Sequence, residues 1–350
     1  MKKRIAYFVG LAGAAALFGM ALQTPVSAAE IKLKLGTVSN DKTSMGKAIA
    51  NVLMPKIKEY SKGRMEIDPH WMGSICGEQI CGEQAKQGLI DIATSSTANF
   101  GNFGTSYAIA DLPYIFKDLA SANKLAAGWF GKALHANAVK ETGFRVYGVF
   151  SVGGFRALGN NVRPIKEPKD LKGIKIRVTK SPVEFTLIKS WGGVPIPYDW
   201  VQLYQGLQTG VVNGQYVQLP WQELYKMYEV QKHYTVMGGA WGANVIYMDD
   251  KRVQKLPGWA QTALQKAMDD FVEAAMGNDA AWVDEGTKKI KAKVDTFYYP
   301  NAKEQAKWIA GAVQAWKKAK GTYDSKLAAR ALKEQGLSDF VAKLKKAGAL

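Results

Sequence analysis

The sequence predicts an α/β protein of two lobes bridged by a long helix. Three observations carry that expectation. Strand-like and helix-like patterns alternate from Ile31 onward, about 320 residues follow an N-terminal leader, and one helical pattern runs unbroken from Pro257 to about Val294. Alternation of this kind builds a largely parallel sheet. A length above what a single hydrophobic core usually organises implies two lobes, and a helix of about 35 residues is long enough to lie across both.

The leader comes first. Lys2, Lys3 and Arg4 precede an apolar run from Ile5 to about Leu22, and Val26-Ser27-Ala28 puts small residues where a signal peptidase reads. Export and cleavage after Ala28 or Ala29 are expected. The rival is an uncleaved anchor, because the run approaches the roughly 20 residues that span a bilayer. Next, Ile31-Lys32-Leu33-Lys34-Leu35 alternates with the period of a strand, a helix is expected from about Ser44 to Ser61, and strands at Arg64–Asp68 and Leu89–Thr94 flank a helix around Gly82–Gly88. Helical material follows at about 119–141, then an apolar strand from Phe144 to Val152. Gly153-Gly154 then frees the backbone to change direction, which marks a crossing between lobes. The second lobe is expected to hold strands at 174–178, 194–196 and 214–217, with helices near 181–191 and 200–208 between them. Met237 to Met248 returns the chain, and helices at about 302–318 and 325–346 end it. The expected partition is 1–28 as leader, 29–153 with 243–282 as the first lobe, and 154–242 with 283–350 as the second.

The formal charge is +17, and removing the three leader cations leaves +14. Such a surface attracts anions of every kind. The lysines lie along helical stretches such as Lys288–Lys293 without interleaved aromatics, so nucleic acid is not an expected partner. The two cysteines, Cys76 and Cys81, lie five residues apart, and in an exported protein such a pair forms a local disulfide. A metal site using Glu78, Glu83 and His70 is the alternative, but the spacing matches no zinc pattern, and no metal is expected.

Catalytic signatures are missing. There is no Gly-x-Ser-x-Gly elbow, no phosphate loop and no dinucleotide turn, so neither a hydrolase nor a bound cofactor is indicated. His70, His135 and His233 are scattered without a nearby nucleophile. What remains suits an anion. In Gly173-Ile174-Lys175-Ile176-Arg177-Val178, strand alternation sends the isoleucines and valine to one face, and Lys175 and Arg177 to the other. A guanidinium matches a carboxylate or sulfonate with a planar fork of donors and keeps its charge when desolvated. Arg156, just beyond the glycine pair, supplies a second cation.

That strand, together with Gly193-Val194-Pro195-Ile196-Pro197 and Tyr204-Gln205-Gly206-Leu207-Gln208-Thr209-Gly210-Val211-Val212-Asn213-Gly214-Gln215, resembles the solute receptors of tripartite ATP-independent periplasmic (TRAP) transporters of the dicarboxylate/sialic-acid type. The similarity extends through Ser61-Lys62-Gly63-Arg64, Gly88-Leu89-Ile90-Asp91, Leu112-Pro113-Tyr114-Ile115-Phe116 and Asp170-Leu171-Lys172-Gly173, in matching order. The resemblance implies a two-lobe periplasmic binding protein fold that closes on a small organic anion, and the small and large TRAP membrane subunits as partners. It places Arg177 on the ligand carboxylate, Arg156 as a second arginine and Trp200 as an aromatic wall.

Two departures bear on the ligand. Where the family commonly continues Asp-Gly-Gln-Glu-Asn-Pro, this chain reads Asn213-Gly214-Gln215-Tyr216-Val217-Gln218, so Val217 replaces an asparagine that binds ligand. The cysteine pair is the other. With Trp71, Trp200, Tyr216 and Trp241 it implies flat apolar walls, and Asn244 is expected to replace the missing polar contact. Ser96 and Glu78 are added to the expected ligand set. A receptor for a small sulfonate such as isethionate, a periplasmic enzyme with Glu78 or Glu83 as base, and a receptor serving a sensor kinase are the alternatives.

Overall fold

The computed structural model describes residues 29–350; the expected leader, 1–28, lies outside the described residues. Among the described residues ten strands form: β1 Ile31–Gly36, β2 Met65–His70, β3 Ile92–Ser96, β4 Phe144–Asn160, β5 Lys175–Val178, β6 Val194–Pro197, β7 Gly214–Gln218, β8 His233–Thr235, β9 Trp241–Asp249 and β10 Thr296–Tyr298. Their order is β2-β1-β3-β9-β4-β7-β5-β6, with β8 also on β4 and β10 on β8. β1 pairs in parallel with β2 and β3, and β5 with β6 and β7. The expected parallel sheet is thus mixed, because β4 and β9 run antiparallel to their neighbours.

β4 belongs to both halves. From Phe144 to Phe155 it pairs with β9, and from Arg156 to Asn160 with β7. The changeover falls at Gly153 and Gly154, whose φ angles of 96° and 72° are open to glycine and strained for other residues. The chain passes from one sheet to the other there without ending the strand.

Hydrophobic alternation buries each sheet. One face of the first sheet packs Leu33, Leu35, Ile92 and Ile246 beneath the helix Gly258–Gly277, with Phe150 edge-on to Phe271 at 5.2 Å. Its other face gathers Phe100, Phe144 and Tyr247 with Phe130. The second sheet packs Ile174, Ile176 and Val178 with Trp191 and Trp308. Between Ser44 and Tyr60 the expected helix forms, with a wide π turn at Ile49–Leu53. Pro55 follows that turn and cannot donate the backbone bond an α turn needs there.

The expected single helix over 257–294 is two, Gly258–Gly277 and Asp279–Lys291. The break has a cause. Asp279 is fully buried and turns its carboxylate onto the changeover of β4, accepting from the Gly153 and Gly154 amides at 2.5 and 3.2 Å and from the Ser151 and Ser44 hydroxyls at 2.6 and 2.9 Å. The first helix covers the first sheet. The second lies against the segment Leu219–Leu224, and Gly286 approaches Pro220 so closely that an added Cβ would stand 2.6 Å from its Cα. Together they form the expected spine across both halves.

Beyond it, Ala302–Ala319 buries Trp308 in the second core, whereas Ser325–Glu334 and Ser338–Lys346 put Leu332, Phe340 and Leu344 into the core that holds Phe116 and Phe130. The apolar faces of these last helices thus pack on the core of the first sheet. No helix among the described residues is long and apolar enough to cross a membrane.

Asp279→Ala leaves two amides and two hydroxyls buried without an acceptor. A loss of about 3 kcal/mol in chemical denaturation is expected. His135, half-buried with its Nδ1 2.8 Å from the Tyr107 hydroxyl, is pushed down from 6.5 to about 4 by burial. Below pH 6.5 the unfolded chain takes up a proton that the folded chain refuses, so stability should fall by ~1–3 kcal/mol between pH 6.5 and 4. Urea titrations at several pH values should show that slope reduced in His135→Gln.

Candidate ligand-binding site

Loops and strand ends from both sheets converge on a cleft lined by Val38, Glu78, Ser96, Arg156, Arg177, Thr179, Trp200, Val217, Gln218, Trp221 and Asn244. Val38 follows β1, Ser96 ends β3, Arg177 and Thr179 lie at the end of β5, and Val217 and Gln218 end β7. These are the carboxyl ends of parallel-paired strands, where open α/β sheets leave a crevice.

Arg177 extends from β5 as alternation predicts, opposite the face that packs on Trp191. It is buried, its Nε donates to the Tyr198 carbonyl at 2.8 Å, and its guanidinium carbon stands 5.9 Å from the Trp200 ring centre. Burial pushes its pKa down to about 10, against the pull of Glu184, and it remains cationic at neutral pH. Among the described residues no carboxylate oxygen comes within 4.0 Å of it. Arg156 is held differently. Its Nη1 donates to the Tyr216 carbonyl at 3.1 Å, and its Nη2 stands 2.9 Å from Glu184 Oε1 as an ion pair outside hydrogen-bond alignment. Glu184 also accepts from the Thr179 amide and hydroxyl, both at 2.8 Å, so this cation is neutralised inside the protein. Nearby, burial pushes the Asp111 carboxyl up to about 7, and Thr97 donates to it at 2.6 Å.

The cysteines form a disulfide, so the sulfurs a metal would need are bonded to each other. Among the described residues no three of His, Cys, Asp and Glu gather as a metal site. The bridge lies against Gly36, where an added Cβ would meet both sulfurs at about 3 Å. It fixes the start of the helix Glu78–Gln87 and so sets Glu78 at the cavity. That carboxylate accepts from the Ser96 amide at 2.6 Å, the Ser96 hydroxyl at 3.2 Å and the Asn99 side-chain amide. Glu83 does not line the cavity.

Seven of the nine sequence-predicted ligand residues line the cavity: Arg177, Arg156, Trp200, Val217, Asn244, Ser96 and Glu78. Tyr216 and Trp241 do not. Tyr216 points away from Val217 by strand alternation and packs edge-on to Trp191, its hydroxyl donating to the Gly238 carbonyl and accepting from the Ala240 amide. Trp241 is buried against Phe116, 4.9 Å away. Trp71 packs beside the first core. Val38, Thr179, Gln218 and Trp221 were not anticipated; the strand-end rule points to the first three. Trp221 lies edge-on to Trp200 at 5.3 Å, and with it walls one side. Across the cleft, the Lys180 amide donates to Asn99 Oδ1 at 3.1 Å and the Tyr225 hydroxyl to the Val38 carbonyl at 3.1 Å.

Residues 35–322 match the family described as bacterial extracellular solute-binding protein, family 7. The chain belongs to that family. It is 30% identical over 307 residues to the C4-dicarboxylate-binding periplasmic protein DctP of Rhodobacter capsulatus, covering 85% of this chain and 89% of the relative. It is 26% identical over 245 residues to the 2,3-diketo-L-gulonate-binding periplasmic protein YiaO of Escherichia coli, covering 69% and 74%. The fold is that of TRAP periplasmic solute-binding proteins. One from Sulfurospirillum deleyianum with bound succinate superposes with a TM-score of 0.81 at 24% identity, covering 87% of this chain and 98% of that one. Another from Roseobacter denitrificans with bound L-galactonate gives 0.79 at 22%, covering 88% and 99%.

Arg156→Met strands Glu184 as a buried unpaired carboxylate. Denaturation should show a loss of about 3–5 kcal/mol, at least half of it regained in Arg156→Met/Glu184→Gln.

Proposed function

We propose that this solute-binding protein is the periplasmic receptor of a TRAP transporter and captures a small organic acid between its two halves. The supporting observation is Arg177, a buried guanidinium without a carboxylate partner within contact distance, which lines the cleft between the halves. Its terminal nitrogens present the fork that an acid group fills with two parallel hydrogen bonds. Ser96, Thr179, Gln218 and Asn244 supply neutral polar contacts, and Trp200 with Trp221 covers the carbon skeleton. The Arg156–Glu184 pair braces the floor from which Arg177 rises. Related receptors are described as binding C4-dicarboxylates, a diketo sugar acid or sialic acid, and solved relatives hold succinate or galactonate, all acids.

The halves close by bending at Gly153-Gly154, at the return through Gly238-Gly239 and at the break before Asp279. Ligand contacts from both sides favour the closed form, and that form docks on the small and large membrane subunits. The chain performs no chemistry on its cargo, which leaves as it arrived. Residues 1–28 direct export and are removed.

A thermal-shift screen of organic anions, isethionate included, followed by calorimetry, tests this reading. Arg177→Ala should weaken binding of the best anion at least about 100-fold with the melting temperature of the unliganded protein little changed. Unaltered affinity would remove Arg177 from the role. Recovery of a chemically modified ligand would replace the receptor reading with an enzyme.

A further inference from the structure

We infer, resting on the receptor reading, that the ligand carries one acidic group only and presents a hydrogen-bond donor, a hydroxyl or an ammonium, to Glu78. The site therefore selects hydroxy- or amino-monocarboxylates against dicarboxylates. Charges around the cavity are largely paired. Arg156 is matched by Glu184 at 2.9 Å, and at the mouth Lys180 is matched by Asp199 at 3.8 Å. Two charges are left among the lining residues, the cation of Arg177 and the anion of Glu78.

Glu78 is no bystander on the surface. It is partly buried at the first turn of its helix, behind the disulfide, and all its partners are neutral donors: the Ser96 amide, the Ser96 hydroxyl and the Asn99 amide group. Among the described residues no basic nitrogen lies within 4.0 Å of it. A carboxylate has about four acceptor positions. Three donors leave about one, at the wall of the cavity, for a donor of the ligand. A ligand that puts one carboxylate on Arg177 finds no second unpaired cation. Its other carboxylate would meet the Glu78 carboxylate, the indoles of Trp200 and Trp221, Val217, or the neutral groups of Ser96, Thr179, Gln218 and Asn244, none of which neutralises it. Like charges brought together in a desolvated site cost several kcal/mol, whereas a hydroxyl or ammonium at the same place gains a charge-assisted hydrogen bond.

Two matched pairs read this out by calorimetry on the mature protein: succinate against 4-hydroxybutyrate, and D-glucarate against D-gluconate, with 4-aminobutyrate as the ammonium arm. In each pair a terminal hydroxymethyl replaces a carboxylate. The hydroxy acid of whichever pair binds should be at least about 10-fold tighter than its diacid, and binding of 4-aminobutyrate above succinate supports the same assignment. In Glu78→Gln, which keeps the shape, that preference should shrink at least about 10-fold with the diacid gaining affinity. A diacid binding wild type as tightly as its partner overturns the inference, as does an unchanged ratio in a folded Glu78→Gln; should the variant not fold, the wild-type ratios decide. Failure of all five to bind also overturns it, while a hit elsewhere in the anion screen, lost in Arg177→Ala, would leave the receptor reading standing.

Discussion

The fold depends on one buried carboxylate. Asp279 collects two backbone amides and two hydroxyls at the place where β4 leaves one sheet for the other. Burial alone pushes its carboxyl up from the ordinary range, and those four donors pull the other way. Gly153 and Gly154 take conformations in which their amides have no ladder partner, and an unpaired buried amide is costly. Asp279 answers that demand, and in doing so interrupts the spine helix at the same level. One interaction thus determines where the strand crosses and where the helix breaks.

A second glycine pair lies at the return crossing. Gly238 and Gly239 also have positive φ, and the Tyr216 hydroxyl spans them by donating to Gly238 and accepting from Ala240. The Arg156 amide joins Ala240 at 3.0 Å, tying the outgoing strand to the incoming one. Both glycine passages between the halves are therefore backbone segments with tolerant dihedrals, each held by a side chain. Small rotations there move the cleft walls without unpacking either core, which is the usual construction of a hinge.

Much of this was legible in the sequence. Alternation in Ile174–Val178 oriented Arg177, the cysteine spacing implied the bridge, and the glycine pair marked the crossing. What was not legible required long-range partners. The helical pattern over 257–294 resumes after Gly277-Asn278-Asp279, a weak local stop signal, and the carboxylate that fixes the break there reaches residues more than 120 positions away. Tyr216 and Trp241 read as cleft aromatics from their neighbourhood, yet strand parity and a hydrogen bond across the return crossing turn one inward, and Phe116 packs the other. Trp221 gave no signal, since its approach to Trp200 joins separate helical turns.

Electrostatics separate the site's two arginines more sharply than their sequence contexts do. Both are buried, both lie at strand positions and both line the cavity. Arg156 is already paired in charge with Glu184, and taking it out of that pair would leave a buried anion unpaired, so its charge serves the protein first. Arg177 has the Tyr198 carbonyl and the Trp200 ring, and burial lowers its pKa to about 10 although Glu184 pulls the other way from beyond contact distance. A cation kept dry without a counterion is unstable by itself and becomes favourable when an anion arrives. In the receptor proposed above, ligand binding is coupled to burial: an acid group on Arg177 would be attracted most strongly when the cleft excludes water, and the closed arrangement would be favoured by the charge it encloses.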